Sequence, residues 1–173
     1  MRNILAGFLV AALSSCFAPP SDAAEANWKT TEYWNITGDY NGWCRAEATF
    51  GDDMLLSMGL NKEGWKLMIA SKNTATPMEI GKPYTIDVVL TDKGHATLTG
   101  VAFDPQGLAV SGLTPEFVMA FAYAPSIVIA NFGTFNLKGS AEAIIETHAC
   151  FKALTASGAS APAPTPTTPD REA

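Results

Sequence analysis

The sequence is poor in the residues from which metal and catalytic sites are commonly built. Its 173 residues include three cysteines and two histidines, His95 and His148, which are far apart along the chain. A zinc site needs three or four Cys, His or carboxylate ligands, so no metal is expected. The chain also has neither a G-x-S-x-G elbow nor a glycine-rich phosphate loop. These absences argue against serine-hydrolase, nucleotide-binding and metal-dependent chemistry, and no cofactor is expected.

Positively charged residues are also few. The sequence has 11 Lys and Arg residues against 17 Asp and Glu residues, which gives a formal net charge of −6 at pH 7. Proteins that bind nucleic acid or anionic lipid generally carry a basic patch. We therefore expect neither a nucleic-acid partner nor an electrostatic attachment to lipid.

No apolar run is long enough to cross a bilayer, which takes about 20 residues. The run ILAGFLVAAL at residues 4–13 follows Arg2, and this is the layout of a secretory signal. One route removes residues 1–23 and leaves a periplasmic or secreted protein. In the other route, LSSC resembles a bacterial lipobox, residues 1–15 are removed, and a lipidated Cys16 anchors the protein to the membrane. Both routes remain open, and neither leaves a transmembrane helix in the mature chain.

Either route removes Cys16 from disulfide chemistry and leaves Cys44 and Cys150. Two cysteines in an exported chain most simply form one bridge. This bridge would close a loop of about 100 residues and contribute up to roughly 4–5 kcal/mol to stability. Two buried free thiols are the alternative. We predict the bridge, which would pin the end of the domain to an early strand.

Residues 24–154 are interpreted as a single β-rich domain, and residues 155–173, rich in Ala, Pro and Thr, as a disordered tail. In NGWCRAEATF, Cys44 begins a strict alternation of small or apolar residues with polar ones. Turn sequences such as NKEG, DKG and DPQG separate short strands at a spacing of about eight to twelve residues. This pattern predicts an α+β, mostly β fold, an antiparallel β-sandwich or open barrel with one short internal helix and a C-terminal helix.

The two helices are predicted from their caps and apolar stripes. In TPEFVMAFAYAP, Thr114 suits the N-cap and Pro115 the first helical position. In GSAEAIIETHACFKAL, Ser140 can cap a helix whose buried stripe includes His148. The apolar segment 117–132 is interpreted as a buried helix followed by a core strand, because it contains a proline and is too short for a membrane span.

Aromatic residues provide the main candidate for a binding surface. The tryptophans are Trp28, Trp34, Trp43 and Trp65, all in the first half of the domain. Trp34 and Trp65 are expected in the core. Trp43 precedes Cys44, so on an alternating strand it faces away from the bridge. With Tyr33 it could form an exposed patch for sugar, peptide or protein contact, and the alternative is that loops or Trp28 cover this face of the sheet.

The segment FNLKGSAEAIIETHAC, residues 135–150, resembles the close of the invasion-associated locus B family of exported bacterial proteins. The W-x-I strand at residues 34–36, followed by Cys44, is similar to the opening of that family. The resemblance implies an exported, mostly β, non-enzymatic protein, and it assigns no active site.

We therefore expect an exported bacterial binding or envelope-associated module without catalysis, whose partner is an envelope protein or a glycan. One alternative is a small periplasmic hydrolase with a site near His95 or His148. Another is a purely structural envelope protein. An exposed aromatic cluster would favour binding, whereas a cleft in which a histidine and a carboxylate converge would favour the enzyme.

Overall fold

The computed structural model of the protein describes residues 26–39, 42–51, 53–72 and 77–156. The predicted signal peptide, the lipidation candidate Cys16 and residues 157–173 of the predicted tail lie outside the described residues.

Ten strands and two helices make up the described chain. The strands are β1 (Ala26–Thr30), β2 (Asn35–Gly38), β3 (Cys44–Phe50), β4 (Met54–Asn61), β5 (Gly64–Ser71), β6 (Pro83–Leu90), β7 (Gly94–Asp104), β8 (Gly107–Ser111), β9 (Ser126–Ile129) and β10 (Gly133–Asn136). The helices are α1 (Pro115–Tyr123) and α2 (Ser140–Ala156). This composition confirms the predicted α+β, mostly β class with one short internal helix and one C-terminal helix.

The strands form one open antiparallel sheet with the order β1-β2-β3-β4-β5-β8-β7-β6-β9-β10. The first five strands are a meander, as the turn sequences predict. The sheet then curls back on itself. This curl brings the ring centroid of Phe50 in β3 to 5.2 Å from the ring centroid of Phe135 in β10. The concave face formed in this way holds the core, consistent with the predicted sandwich or open barrel.

The alternation in β3 decides which residues face that core. Cys44, Ala46 and Ala48 are buried, whereas Arg45 and Glu47 between them are partly exposed. Both helices contribute apolar side chains to the same core, and α2 packs against β2, β3 and β4. The predicted period-two pattern is therefore confirmed for this strand.

Helix α1 begins as its sequence predicts. Thr114 is the N-cap, its hydroxyl accepts the N–H of Phe117 at 3.2 Å, and Pro115 opens the first turn. The helix buries one face, and β9 follows it into the core. Segment 117–132 is thus a helix and a core strand, as predicted. Within the described ranges, no helix is long and apolar enough to cross a membrane.

Helix α2 differs from its prediction at its start. The Ser140 hydroxyl does not take the predicted capping role but directs its single O–H, as a bifurcated donor, to the carbonyls of Phe121 and Ala122, at 3.2 and 3.0 Å. These carbonyls lie in the last turn of α1, where a helix leaves its acceptors without partners. The buried Ser140 therefore ties the two helices together.

The buried stripe of α2 also differs from the prediction. Its buried residues are Ser140, Ala143, Thr147 and Cys150. His148 is exposed, so its predicted place on the buried stripe is wrong. The physical reason is the disulfide, because the covalent bond at Cys150 determines the face of the helix that turns inward.

The predicted disulfide between Cys44 and Cys150 is confirmed, with their Cα atoms 6.1 Å apart. It joins the first residue of β3 to the C-terminal half of α2. Gly38 lies opposite Cys44 in the β2–β3 pair, and a Cβ atom there would be 2.9 Å from the Cys150 sulfur. Glycine at this position therefore leaves the space that the bridge needs.

The edge strand β1 is held to α2 by charged side chains. The Lys29 ammonium lies 2.9 Å from a carboxylate oxygen of Glu142 and 2.9 Å from one of Glu146. The Trp28 indole N–H donates to Glu146 at 3.4 Å. The hydrogen bond from Lys29 is the main cause that lowers the pKa of Glu146, and the bonds to Glu146 and Glu142 raise the pKa of Lys29.

This contact is expected to weaken in acid. Because the folded-state pKa of Glu146 is lowered, its contribution is complete above the ordinary value of 4.5 and is lost as the pH falls through the folded-state value. Melting temperatures of wild type and Glu146→Gln, measured from neutral pH to about pH 3, should differ slightly at neutral pH and converge in acid. A difference that stays constant across this range would contradict the assigned ion pair.

Candidate functional site

A cleft lies along the seam where the curled sheet does not close. This cleft, called the seam cleft below, has a volume of about 380 Å³. It is lined by Glu32, Tyr33, Trp34, Ala48, Thr49, Phe50, Asn136 and Lys138. These residues come from the β1–β2 loop, from the last three residues of β3, and from β10 with the turn that follows it. The cleft is within the size range of small-ligand pockets.

The β1–β2 loop is fixed from both sides, and this positions Tyr33. The Thr31 N–H donates to the Trp34 carbonyl at 2.8 Å, and the Trp34 N–H donates to the Thr31 hydroxyl at 3.0 Å. The buried Trp34 indole donates to the Lys138 carbonyl at 3.0 Å and packs edge-on against Phe121. With Trp34 turned inward, the neighbouring Tyr33 turns outward and remains 38% exposed.

Two opposite charges lie at this end of the cleft. The Lys138 ammonium is 4.7 Å from the centroid of the Tyr33 ring, and the Tyr33 hydroxyl donates to the Glu32 carboxylate. The Tyr33 hydroxyl, and more weakly Glu32, raise the pKa of Lys138. The ammonium therefore stays charged at neutral pH, and its charge balances that of Glu32 in the same mouth.

Trp43, the other candidate binding residue, lies at the opposite end of β2. The Asp39 N–H donates to the Trp43 carbonyl at 2.9 Å, whereas Tyr33 precedes the start of β2. The length of β2, roughly 13 Å for a strand of this size, separates the two rings. The structure therefore does not bring Tyr33 and Trp43 into one aromatic patch.

The Trp43 ring is partly buried because it covers the outer face of the sheet. A Cβ atom on Gly59 in β4 would lie 2.5 Å from this ring, and the Lys66 ammonium is 5.1 Å from the ring centroid. Of the tryptophans predicted in the core, Trp34 is buried, and Trp65 is half-buried against the core.

The histidines lie on exposed surfaces of different elements. His95 is on β7, where its Nε2 is 3.6 Å from a carboxylate oxygen of Asp87 in the neighbouring β6. His148 is on the exposed side of α2. Neither lines the seam cleft. Among the described residues, no group of three or more His, Cys, Asp or Glu side chains is placed to hold a metal ion.

A second, shallower groove of about 270 Å³ adjoins the seam at Thr49. Asp53 and Lys72, 3.5 Å apart, form an ion pair on its rim. The groove is otherwise walled by residues of β3, β4 and β5 and the turn between β3 and β4, together with Asp104 and Gln106 at the β7–β8 turn, and it has no aromatic ring on its lining. The seam cleft is therefore the better candidate site.

The residues that complete the seam cleft could not be found by reading along the chain. Lys138 and Tyr33 are separated by about a hundred positions, and nothing in the composition around either of them pairs them. The one available signal was the segment FNLKG, which contains Asn136 and Lys138 but indicates no chemistry by itself.

Comparison with protein-family models, with curated proteins and with solved structures finds no match to this chain. The resemblance to the invasion-associated locus B family therefore stays a prediction.

Proposed function

We propose that the protein is an exported bacterial binding module that acts in the cell envelope without catalysis, and that the seam cleft is its ligand site. The partner is an envelope protein or a glycan. The observation that carries this proposal is the exposed Tyr33 ring, held at the mouth of a preformed cleft by the buried Trp34 beside it.

A rigid aromatic ring supports recognition because it offers a large contact area at a small cost in conformational entropy. Tyr33 already has a fixed setting, with Lys138 over its ring and Glu32 on its hydroxyl. The disulfide between Cys44 and Cys150 supports export, since such bridges persist in oxidising compartments. The secretory leader in the sequence supports the same compartment.

The hydrolase alternative is less well supported. A general base or nucleophile works in a site that shapes the substrate and excludes water. His95 and Asp87 lie on an open strand surface with more than half of each side chain exposed, and His148 faces away from the core. Both histidines lie outside the seam cleft.

Tyr33→Ala is expected to reduce the fraction of purified protein that sediments with isolated bacterial cell envelopes by about fivefold or more, the effect of losing an aromatic anchor worth at least 1 kcal/mol. Tyr33→Phe keeps the ring and is the matched control, so it should retain binding to within about twofold. The comparison requires variants whose thermal melts match that of wild type.

His95→Ala and His148→Ala should bind like wild type, since both side chains lie outside the seam cleft. Trp43 stays a candidate contact, but Trp43→Ala also uncovers Gly59 and is expected to lower the melting temperature. The proposal fails if a folded histidine variant abolishes biological activity while Tyr33→Ala retains both activity and envelope binding.

A further inference from the structure

We propose that the seam cleft takes an extended, uncharged peptide segment of a partner protein, which adds to the free edge of β10 as a further strand. This inference rests on the proposed function, because it names the class of partner for the same cleft. The inference is carried by the backbone groups that border the cleft, and the side chains of the lining support it.

The edge of β10 that faces away from β9 has peptide groups available for pairing. In an antiparallel strand, successive residues direct their N–H and C=O groups to opposite edges of the strand. Every second residue therefore points both groups to the same edge. The Leu137 N–H donates to the Pro125 carbonyl at 3.0 Å, which places Phe135 and Gly133 on the β9 side. Thr134 and Asn136 therefore direct their peptide groups to the free edge. Within the described chain, β10 pairs with β9 alone.

The other wall of the seam offers a matching group. The Asp39 N–H donates to the Trp43 carbonyl, so alternate residues of β3, up to Glu47, bond to β2. Two residues further on, Thr49 points its peptide group to the same side. Strand β2 does not extend that far, because its pairing with β3 ends at Asn35 and Glu47. Free backbone groups thus border the cleft on both sides.

The two end strands of the sheet differ in how their edges are protected. Natural sheets block unwanted pairing with charges, prolines and bulges on edge strands. Strand β1 has an irregular register between Asn27 and Lys29, and the Lys29 ammonium is bound to α2. Strand β10, Gly133–Asn136, has the sequence GTFN with a continuous register and none of these devices. The sequence of β10 therefore does not block pairing, and only the walls of the seam cleft restrict which segments can reach its edge.

The side chains of the cleft favour a peptide over a glycan. Glycan recognition relies on free polar side chains, and two acceptor atoms of this lining are already engaged: a Glu32 oxygen accepts the Tyr33 hydroxyl and the Asn136 side-chain oxygen accepts the Lys138 backbone N–H. Glu32 and Lys138 are the charged residues of the lining, and they balance each other. An uncharged occupant that uses backbone hydrogen bonds therefore fits best, with an apolar residue facing Phe50, which lines the cleft.

The occupant is best supplied by another protein. Ala26, the first described residue, pairs with Gly38 in β2, and Leu154 near the end of α2 also lies beside Gly38. The described chain thus begins and ends near the end of β2 that is remote from the seam. Residues 157–173 also contain Pro162, Pro164, Pro166 and Pro169, which lack the N–H that a paired strand donates. A second folded copy would have to bring its own sheet edge between β3 and β10, where the ring centroids of Phe50 and Phe135 are only 5.2 Å apart, so a single extended segment fits better.

The test uses a phage library of random octapeptides, panned against the purified full chain. Thr134→Pro and Thr49→Pro each remove one N–H that faces the seam, at positions where the existing strand pairs lose nothing. Peptides selected on wild type should bind either variant about tenfold more weakly or worse, as measured by calorimetry. The matched controls Thr134→Val and Thr49→Val keep the N–H and should stay within about twofold.

A peptide modification covers the case in which a proline variant fails to fold. Single backbone nitrogens of a selected peptide are methylated, and binding to the wild-type protein is measured. Strand addition requires a loss of about tenfold at one or more central positions. If methylation of each backbone nitrogen in turn leaves the affinity of the peptide unchanged, strand addition is wrong.

The remaining outcomes separate this inference from the proposed function. If selected peptides bind the folded proline variants as they bind wild type, strand addition is wrong and the binding module stands.

If no peptide is enriched but a glycan array binds wild type and not Tyr33→Ala, the partner class is wrong and the cleft remains the site. If peptides are enriched only on a chain truncated after Ala156, the chain's own tail is the occupant. If neither probe binds, both proposals fail.

Discussion

Replacing Cys44 with alanine is expected to lower the free energy of unfolding by about 3–5 kcal/mol, because the variant loses the disulfide to Cys150. The bridge joins residues 106 positions apart. Closing a loop of that length removes conformational entropy from the unfolded chain worth about 4.7 kcal/mol in the chain-entropy model. Both cysteines are also fully buried, so the variant loses packing around Gly38 in addition.

Urea unfolding with and without reductant measures this effect. Reduced wild type and the Cys44→Ala/Cys150→Ala double variant should both unfold at a lower urea concentration than oxidised wild type, and reductant should not change the double variant. Local loosening should be concentrated in α2, because the bridge attaches its C-terminal half to β3. A reductant-insensitive wild type would contradict a stabilising bridge.

Replacing Trp34 with alanine is expected to cost about 3–5 kcal/mol, the usual range for a buried aromatic truncated to alanine. The Trp34 side chain is 2% exposed, and its ring packs against Phe121. The substitution also removes the indole donor from the Lys138 carbonyl. Since this bond joins the β1–β2 loop to the turn after β10, its loss should also release the two walls of the seam cleft.

Trp34→Phe separates packing from the hydrogen bond. It keeps an aromatic ring in the core and should cost less, about 1–3 kcal/mol, while still weakening ligand binding through the freed Lys138 carbonyl. Trp28→Ala is the matched control, because Trp28 is 41% exposed on β1 and should change stability by less than about 1 kcal/mol. Equal melting temperatures for Trp34→Phe and wild type, with equal binding, would contradict the assigned role of the indole N–H.

Local chemistry allowed several elements to be predicted. The N-terminus of α1 follows from Thr114 and Pro115, whose cap and fixed φ act within one turn. The inward face of β3 follows from its alternation, and the turns follow from glycine and aspartate between apolar runs. Each of these features depends on residues within a few positions of one another.

The phase of α2 could not be predicted in the same way. Its sequence has small and apolar residues around much of the circumference, so the stripe containing His148 and the stripe containing Cys150 are both plausible from periodicity. The bridge to Cys44, formed across the domain, selects the second stripe. Ser140 likewise serves α1 because the start of α2 meets the end of α1 in space.

The sequence by itself predicted the mostly β class, the order of strands and helices along the chain, the cap of α1 and the pairing of Cys44 with Cys150. Only the tertiary structure decided that Tyr33, Thr49, Asn136 and Lys138 line one cleft while Trp43 lies elsewhere. Propensity, capping and alternation act between near neighbours. The seam is created by the curl of the whole sheet, which brings β10 beside β3 through contacts between distant residues such as Phe50 and Phe135.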